Sequence, residues 1–392
     1  MQALLSQHAE KEKMNESEVV IHGVGDMRPK RDDPESLYAV AAPKLKEADI
    51  LFGHLETNFS ERGAPQMHAF SYATRAHPDN VRALASAGFH VVSYASNHHL
   101  DWGEVAMFDT LDALKRNNIA VTGVGRNIEE ARKPAIIERK GTRVAFLNYC
   151  SVLPTGYEAD KNKSGGAPIR VSTFYEQVDW QPATPPKIIS FARKDEIAAM
   201  EEDIRKAKRQ ADVVVMSIHW GIHFVPALIA MYQKEVAYKA IDAGVDVIFG
   251  HHPHILKGIE VYKGKVIFYS MGNFGFDQPL ARLPGDPSKF QLDYYWGRAD
   301  AEYPTYKFPA DSRKTMVAKC VVSEKRISRV SFFPATINTK GQPEICVAGD
   351  KRGDGVFDYM NQITKDQKLD SRLVRQGDEI VVRTCSEALR HL

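Results

Sequence analysis

The sequence predicts an α/β fold, because short apolar runs alternate with segments of helical spacing from residue 19 onwards. Residues 19–25, 49–53 and 89–95 are apolar enough to form buried strands, and segments with an apolar residue every three or four positions lie between and after them. Each of the three runs leads into polar residues. This alternation is typical of a sheet flanked by helices, with polar side chains at the strand ends.

The alternation continues along the rest of the chain. Lys263-Gly264 separates two apolar runs and predicts a β-hairpin. Pro78 suits the first position of a helix, and Gly88 marks its end. Further strands are expected at 119–123, 134–139, 143–149, 211–218, 243–249, 258–264, 265–270, 315–323, 327–333 and 379–383, and helices at 34–48, 78–87, 104–117, 195–210, 232–243 and 353–367.

Two long segments interrupt this pattern, at 151–194 and 277–312. Segments of this length without regular structure are usually lids, binding insertions or mobile linkers. We expect residues 19–335 to form one α/β domain, with both irregular insertions over its site. Residues 1–18 are expected to form a flexible arm, and residues 336–392 an extension that packs on the same domain.

Composition excludes several classes of protein. The 392 residues include 52 Lys and Arg against 50 Asp and Glu, a net charge of +2, without a long block of like charge. Neither nucleic acid nor an anionic membrane surface is therefore an expected partner. No segment approaches 18 consecutive apolar residues, so no membrane span is expected. The four cysteines are scattered, which favours a reduced, cytoplasmic protein.

The stretch from Gly250 to His254, Gly-His-His-Pro-His, follows the predicted strand 243–249. A doubly wound sheet builds its sites at such strand ends. Because Pro253 restricts the backbone, His252 and His254 can direct their ring nitrogens at one point, as a metal ion requires. The alternative is a polar turn whose histidines are only hydrogen-bonded.

Other predicted strands end in residues of the same chemistry. Two acids, an amide and several imidazoles converge if the sheet brings its carboxyl edges together, and seven of the fourteen histidines lie in or within two residues of three of these motifs. Mixed oxygen and nitrogen donors without thiolate favour a divalent transition ion, Mn, Zn or Fe. The candidates are Asp26, Glu56, Asn97 with His98, His219, His252 and His254.

The order of these motifs resembles the calcineurin-like metallophosphoesterases and, more closely, the CapA family of poly-gamma-glutamate capsule biosynthesis proteins. The resemblance covers residues 19–276. The motifs that carry it are Gly25-Asp26 with Arg31, His54-Leu55-Glu56 in place of Asn-Leu-Glu, Ser96-Asn97-His98 with Asp101 and Gly103, His219-Trp220-Gly221, Gly250-His251-His252-Pro253-His254 and Ser270-Met271-Gly272-Asn273-Phe274.

The resemblance implies a metallophosphoesterase-like α-β-β-α sandwich and a role for each matching residue. His98 would be the proton donor, oriented by Asp101, in a reaction where a metal-activated water attacks. The implied metal ligands are Asp26, Glu56, Asn97, His219, His252 and His254. His251 is expected to support the ligands, and His99 and His223 to be neighbours rather than ligands. Asn273 fits turn chemistry and a site role equally well.

Two positions differ from the metallophosphoesterase pattern. Arg28 occupies a place where a ligating His is usual, and Glu56 replaces a bridging Asp. We therefore expect one firm metal position and a second, weaker one. Arg28 is expected to bind a substrate carboxylate or phosphate. Arg31 and the aromatic residues Tyr294, Tyr295 and Trp296 are further substrate-binding candidates, although such aromatics equally often pack a core.

The first functional hypothesis is a soluble bacterial hydrolase. It would use a divalent metal to cleave an ester, lactone, amide or phosphoester bond in a small organic anion. One alternative is a metal-independent isomerase or epimerase that uses His98 and His219 as acid and base. Another is a non-catalytic protein of poly-gamma-glutamate assembly or export. Trp180 in the first insertion would line the pocket if that insertion is a lid, and self-association into a homo-oligomer remains open.

Overall fold

Two mixed β-sheets face each other in a computed structural model that describes residues 18–66, 75–278, 300, 302–303, 306 and 308–385. In the larger sheet the central strands are parallel, and antiparallel strands extend one side of it. Numbered in chain order, its strands are β1 (Val19–Arg28), β2 (Ile50–Leu55), β5 (Val91–Ser93), β6 (Ala120–Thr122), β17 (Asn273–Phe276), β18 (Lys314–Ser323), β19 (Arg326–Ile337), β20 (Pro343–Ile345), β21 (Arg372–Gln376) and β22 (Glu379–Arg383).

The smaller sheet has four parallel strands with an antiparallel strand at each edge. It contains β8 (Ala135–Arg139), β9 (Thr142–Cys150), β13 (Val213–His219), β14 (Val247–His251), β15 (Ile259–Tyr262) and β16 (Lys265–Phe268). Three two-stranded pairs complete the strands of the described residues: β3 (Asn58–Phe59) with β4 (Arg75–Ala76), β7 (Val124–Gly125) with β10 (Gly165–Gly166), and β11 (Val171–Glu176) with β12 (Lys187–Ala192).

The space between the two sheets is filled by aromatic side chains. The ring of Phe52 on β2 stacks on that of Phe146 on β9, with centroids 5.5 Å apart, and lies equally close to that of Phe249 on β14. Side chains alternate between the two faces of a strand, so the residues two positions after Phe52 and Phe249 point into the same space between the sheets. These residues are His54 and His251, which means that the apolar core gives way to imidazoles at the carboxyl ends of the strands.

Helices cover the outer face of each sheet. Leu84 and Leu114 pack on the larger sheet, and Ile204 and Val236 pack on the smaller one. The α-β-β-α sandwich expected from the resemblance is thereby confirmed. The helices of the described residues are α1 (Ala42–Leu45), α2 (Val81–Ala87), α3 (Gly103–Arg116), α4 (Ile128–Ala131), α5 (Lys194–Lys208), α6 (Met231–Ala243) and α7 (Lys351–Asp366), with 3-10 turns at Pro34–Tyr38, Pro78–Asn80 and Ala310–Arg313.

Two local expectations were wrong. The helix expected over 34–48 is a 3-10 turn followed by the short α1, because Pro43 lacks the N–H that a continuous helix needs. The first insertion, expected to lack regular structure, contains β10 and the β11–β12 pair. In the second insertion, residues 279–299 lie outside the described residues, as do residues 1–17 of the expected N-terminal arm.

Residues 336–385 lie on the larger sheet. Strands β21 and β22 extend this sheet beyond β19, and α7 packs against β19. Within the described residues no helix is long and apolar enough to cross a membrane.

Candidate metal centre

The carboxyl ends of parallel strands from both sheets meet at one edge of the sandwich. Asp26 on β1 lies beside His54 on β2, and His219 on β13 lies beside His251 on β14. The two sheets are joined here by the Nδ1 atom of His251, which is 3.0 Å from Oδ1 of Asp26. Strand ends that are far apart in the chain therefore deliver acids and imidazoles to a single buried region.

Three donor atoms surround the Nε2 atom of His219. Oδ1 of Asn97 is 2.8 Å away, Oε1 of Glu56 is 3.1 Å away, and Nδ1 of His252 is 3.1 Å away. One imidazole N–H donates to only one acceptor, so hydrogen bonding does not explain all three contacts. Ligand atoms that lie about 2.1 Å from a shared ion are about 3.0–3.4 Å apart, which matches this spacing.

His254 approaches the same region from the opposite side. Its Nδ1 atom is 3.6 Å from Oδ2 of Asp26, and its Nε2 atom is 3.8 Å from Oε2 of Glu56. His252 and His254 have backbone φ angles of 96° and 56°, a left-handed conformation that costs free energy in residues other than glycine. The structure thus brings together all six ligands that the resemblance implied.

A further imidazole, that of His54, belongs to the same cluster and was missed in the sequence. Donor atoms of Asp26, His54, Glu56 and His219 lie within 4.8 Å of one another. Nδ1 of His54 is 2.7 Å from Oγ of Ser93, while its buried Nε2 atom has no hydrogen-bond partner among the described residues. The signal in the sequence was its place two residues before Glu56, on the same face of the strand.

The electrostatics of the cluster fit a bound cation. Burial raises the pKa of Asp26 to about 7, although His54 and the His252 N–H act in the opposite direction. Burial and the neighbouring Asp26 carboxylate hold the pKa of Glu56 well above its usual range. Burial also lowers the pKa of His219 far below its usual value, which keeps this imidazole neutral and able to bind a metal ion.

Unpaired polar atoms support the same conclusion. Both side-chain oxygens of Glu56, Nδ1 of His219 and Nε2 of His251 are buried without a hydrogen-bond partner among the described residues. Leaving such groups unpaired costs on the order of 1–3 kcal/mol each, and more for charged groups. A divalent ion would satisfy the Glu56 oxygens directly, so the residues present fit a metal ion.

The tautomer of His254 follows from a chain of hydrogen bonds. The Tyr306 hydroxyl donates to the backbone carbonyl of Ser312, and therefore accepts from Nδ2 of Asn273. Oδ1 of Asn273 is then the atom that faces Nδ1 of His254, at 2.8 Å, and it accepts the proton carried there. Nε2 of His254 keeps its lone pair for a metal ion. Asn273 thus orients a candidate ligand.

His98 is held at the rim of the cluster by a second set of contacts. Its Nδ1 atom is 2.7 Å from Oδ2 of Asp101, and Oδ1 of the same carboxylate accepts a hydrogen bond of 3.3 Å from the Tyr157 hydroxyl. Because Asp101 fixes the proton on Nδ1, Nε2 is the atom that can exchange a proton with a bound molecule. Tyr157 comes from the first insertion and was not singled out in the sequence.

Of the two candidate arginines, only Arg28 lies near the cluster. Its buried guanidinium interacts electrostatically with Asp101 and Glu56, and burial lowers its pKa to about 10. Arg31 makes a two-pronged ion pair with Asp277 instead. The side chain of Trp180 is 95% exposed and lines no enclosed pocket of the described residues. Tyr294, Tyr295 and Trp296 lie outside the described residues.

The remaining histidines of the motifs have different surroundings. His99 contacts the carbonyls of Ser96 and Tyr157 through its two ring nitrogens. This leaves no nitrogen for a metal ion. The ring of His223 lies 3.9 Å from that of His252, measured between centroids. It is a neighbour of the ligands, as the sequence suggested.

Fold and donor set together define a metallophosphoesterase-like protein, and comparison with known families makes the assignment specific. Residues 6–278 match the model of the family described as bacterial capsule synthesis protein PGA_cap. The chain therefore belongs to this family.

Several relatives carry names from capsule or polymer synthesis. The chain is 29% identical over 249 residues to the PGA biosynthesis protein CapA of Bacillus subtilis, and this alignment covers 63% of this chain and 58% of the relative. It is 30% identical over 243 residues to the capsule biosynthesis protein CapA of Bacillus anthracis, an alignment that covers 62% of this chain and 54% of the relative. A probable polyglutamine synthesis accessory protein of Mycobacterium tuberculosis is 30% identical over 240 residues, and the alignment covers 60% of this chain and 57% of the relative. The chain thus spans little more than half the length of these relatives.

Proposed function

We propose that this protein is a metal-dependent hydrolase that cleaves a small organic anion with an activated water molecule. The observation that carries the proposal is the Glu56 carboxylate, which lies among imidazoles with neither oxygen hydrogen-bonded to any described residue. A bound divalent ion supplies Lewis acidity and lowers the pKa of water. Asp26, Glu56, Asn97, His219, His252 and His254 would hold the ion, with His54 as a further ligand.

The residues beside the metal ligands have separate tasks. His98 gives a proton from Nε2 to the leaving group, and Asp101 keeps the opposite ring nitrogen protonated. Arg28 holds the negative charge of the substrate through its guanidinium. Glu56 belongs both to the group with Asp26 and His54 and to the group around His219, and its two oxygens can serve two ions. This supports one firm metal position and a second, weaker one. Zn, Mn and Fe all suit mixed carboxylate and imidazole ligands.

The bond cleaved is an ester, lactone, amide or phosphoester. The resemblance to the CapA family of poly-gamma-glutamate capsule biosynthesis proteins favours a glutamate-derived amide, because a glutamate polymer offers Arg28 a carboxylate next to each scissile bond. The names of the relatives support a second candidate function, an accessory role in polymer assembly without turnover. We further propose a reducing compartment such as the cytoplasm, which is supported by the four free cysteines.

The test combines metal analysis with a substrate panel. Protein purified without chelator is analysed for transition metals and then assayed on nitrophenyl esters, nitrophenyl phosphate, a lactone and γ-glutamyl nitroanilide. We expect close to one equivalent of metal and turnover of at least one substrate that stops after chelation. Turnover that survives chelation would establish the metal-independent acid–base alternative. Bound metal without turnover of any member would favour the accessory role.

A further inference from the structure

The β11–β12 ribbon exposes an unusual amount of apolar surface. Trp180, between its two strands, is 95% exposed, Tyr175 is 71% exposed and Phe174 is 52% exposed. Phe174 stacks on Phe191 on one face, with ring centroids 5.0 Å apart, and Tyr175 lies opposite Ile188 on the other. Both faces of the ribbon thus expose apolar side chains, and a cluster of exposed large apolar residues usually marks an interaction site.

Within the described part of the chain, only the base of the ribbon is supported by other elements. Ser190 and Ala192 are buried near α6, where the backbone N–H of Ala192 donates to Oε2 of Glu235. Every residue of β11 after Val171 is exposed. A two-stranded ribbon is marginally stable on its own in water, so its outer part gains from a partner that covers it.

Charge and backbone indicate what kind of partner fits. Glu176 and Lys187 form an ion pair within the ribbon, and Asp179 is the one further charged residue between 171 and 192. The surface to be covered is therefore almost neutral. The outer edge of β11 pairs with no strand among the described residues, so its N–H and C=O groups are free to extend the sheet.

We propose that this ribbon binds the same ribbon of a second copy, with β11 antiparallel to its symmetry mate. If the two-fold axis is perpendicular to the plane of the ribbon, the Phe174 faces of both copies lie on the same side of the new sheet. The result is a four-stranded sheet with the order β12-β11-β11-β12. The pairing satisfies the free edges of β11, and it places Phe174 on one face and Tyr175 on the other beside side chains of the second copy. A lipid surface would leave those edges unpaired, and Asp179 beside Trp180 opposes insertion.

Analytical ultracentrifugation of the full chain tests this proposal. The wild type is expected to be a dimer at about 100 µM, a range in which moderate interfaces are populated. Phe174→Glu is expected to weaken the dimer on the order of 100-fold, as for a central aromatic contact, while Val347→Glu, at a site of similar exposure (58%), leaves it intact. Thermal melting of both variants shows whether the domain is folded.

Hydrogen exchange supplies the second measurement, because amides of β11 should be protected in the dimer and lose this protection on dilution. A monomeric wild type at that concentration overturns the proposal. A dimer that survives Phe174→Glu, or that leaves the β11 amides unprotected, overturns it as well. Co-sedimentation with phosphatidylcholine vesicles, lost in Phe174→Glu, would assign the ribbon to a lipid surface and equally overturn the proposal.

Discussion

Nε2 of His219 lies 3.1 Å from Oε1 of Glu56, although His219 ends a strand of the smaller sheet and Glu56 follows a strand of the larger one. The two side chains form no hydrogen bond. The contact brings an imidazole nitrogen and a carboxylate oxygen together in a buried space. A cation bound by both atoms would stabilise this arrangement. The first prediction follows from this pair.

Glu56→Gln is expected to lower metal affinity on the order of 100-fold, because a neutral amide replaces an anionic ligand. The metal-free protein should keep its stability, since neither Glu56 oxygen accepts a hydrogen bond that the change would remove. Metal content by mass spectrometry and the rise in melting temperature on adding metal measure the two effects. The exposed Glu61→Gln serves as the control. A variant that retains a full equivalent of tightly bound metal would contradict the assignment of Glu56.

His98→Gln is expected to reduce turnover by about 10²–10⁴-fold while metal content stays unchanged, because His98 moves a proton without ligating the metal. Asp101→Asn should show a smaller loss of the same kind, since the amide no longer holds the proton on Nδ1 of His98. Steady-state kinetics on the substrate found in the panel measure both. His77→Gln, at an exposed histidine outside the cluster, is the matched control. Loss of metal in His98→Gln would instead make His98 a ligand.

Tyr306→Phe is expected to weaken metal binding by roughly 10–100-fold, although Tyr306 does not touch the metal position. Without the hydroxyl, the Asn273 amide is free to turn over and no longer fixes the proton on Nδ1 of His254. Competition with a chromogenic chelator measures the affinity. Tyr238→Phe also loses a hydrogen bond, to Glu260, but lies outside the cluster and should bind metal normally. Equal affinity in the two variants would show that the tautomer of His254 is set in another way.

Arg28→Lys is expected to raise the KM for the anionic substrate roughly tenfold with a smaller change in kcat, because an ammonium group cannot replace the two-pronged contact of a guanidinium. Arg31→Lys should leave KM unchanged and reduce stability instead, since Arg31 is paired with Asp277. Kinetics and urea unfolding of both variants separate the two roles. A KM effect confined to Arg31→Lys would reverse the assignment.

Asp246→Asn tests an acid that lies far from the metal centre. Burial alone would raise its pKa, but hydrogen bonds from Lys208, Lys265 and the Val214 N–H outweigh burial and lower it. The folded pKa is below the unfolded value, so the ionised carboxylate stabilises the fold above about pH 4 and this stabilisation is lost as pH falls through the folded pKa. We expect the variant to be about 2 kcal/mol less stable at pH 7 and the difference to shrink towards pH 3.

Urea unfolding across this pH range checks the prediction. Asp358→Asn, at a carboxylate on α7, is expected to match the wild type throughout. A pH-independent difference for Asp246→Asn would show that its carboxylate acts through packing rather than charge.

Local patterning was sufficient for the order of the elements and for the positions of most candidate ligands. Apolar residues recur every second position in a strand and every three or four positions in a helix, so the sequence distinguishes the two. Polar residues follow the strands because an α/β sheet builds its site at the carboxyl ends of its strands. The resemblance of the motifs added the identity of the ligands. Local patterning failed at 34–48, where Pro43 within an apolar stretch was the overlooked signal, and in the first insertion, where it missed β10, β11 and β12.

Only the tertiary structure decided which atoms meet. His251 contacts Asp26 across 225 positions in the chain, and His54 joins the cluster because β2 pairs with β1 at Asp26. Tyr157 and Tyr306 reach Asp101 and Asn273 from outside the motifs, so no spacing in the sequence announces them. Pairing between distant strands is set by the packing of the whole core. A local pattern therefore carries the chemistry of a side chain but not its neighbours.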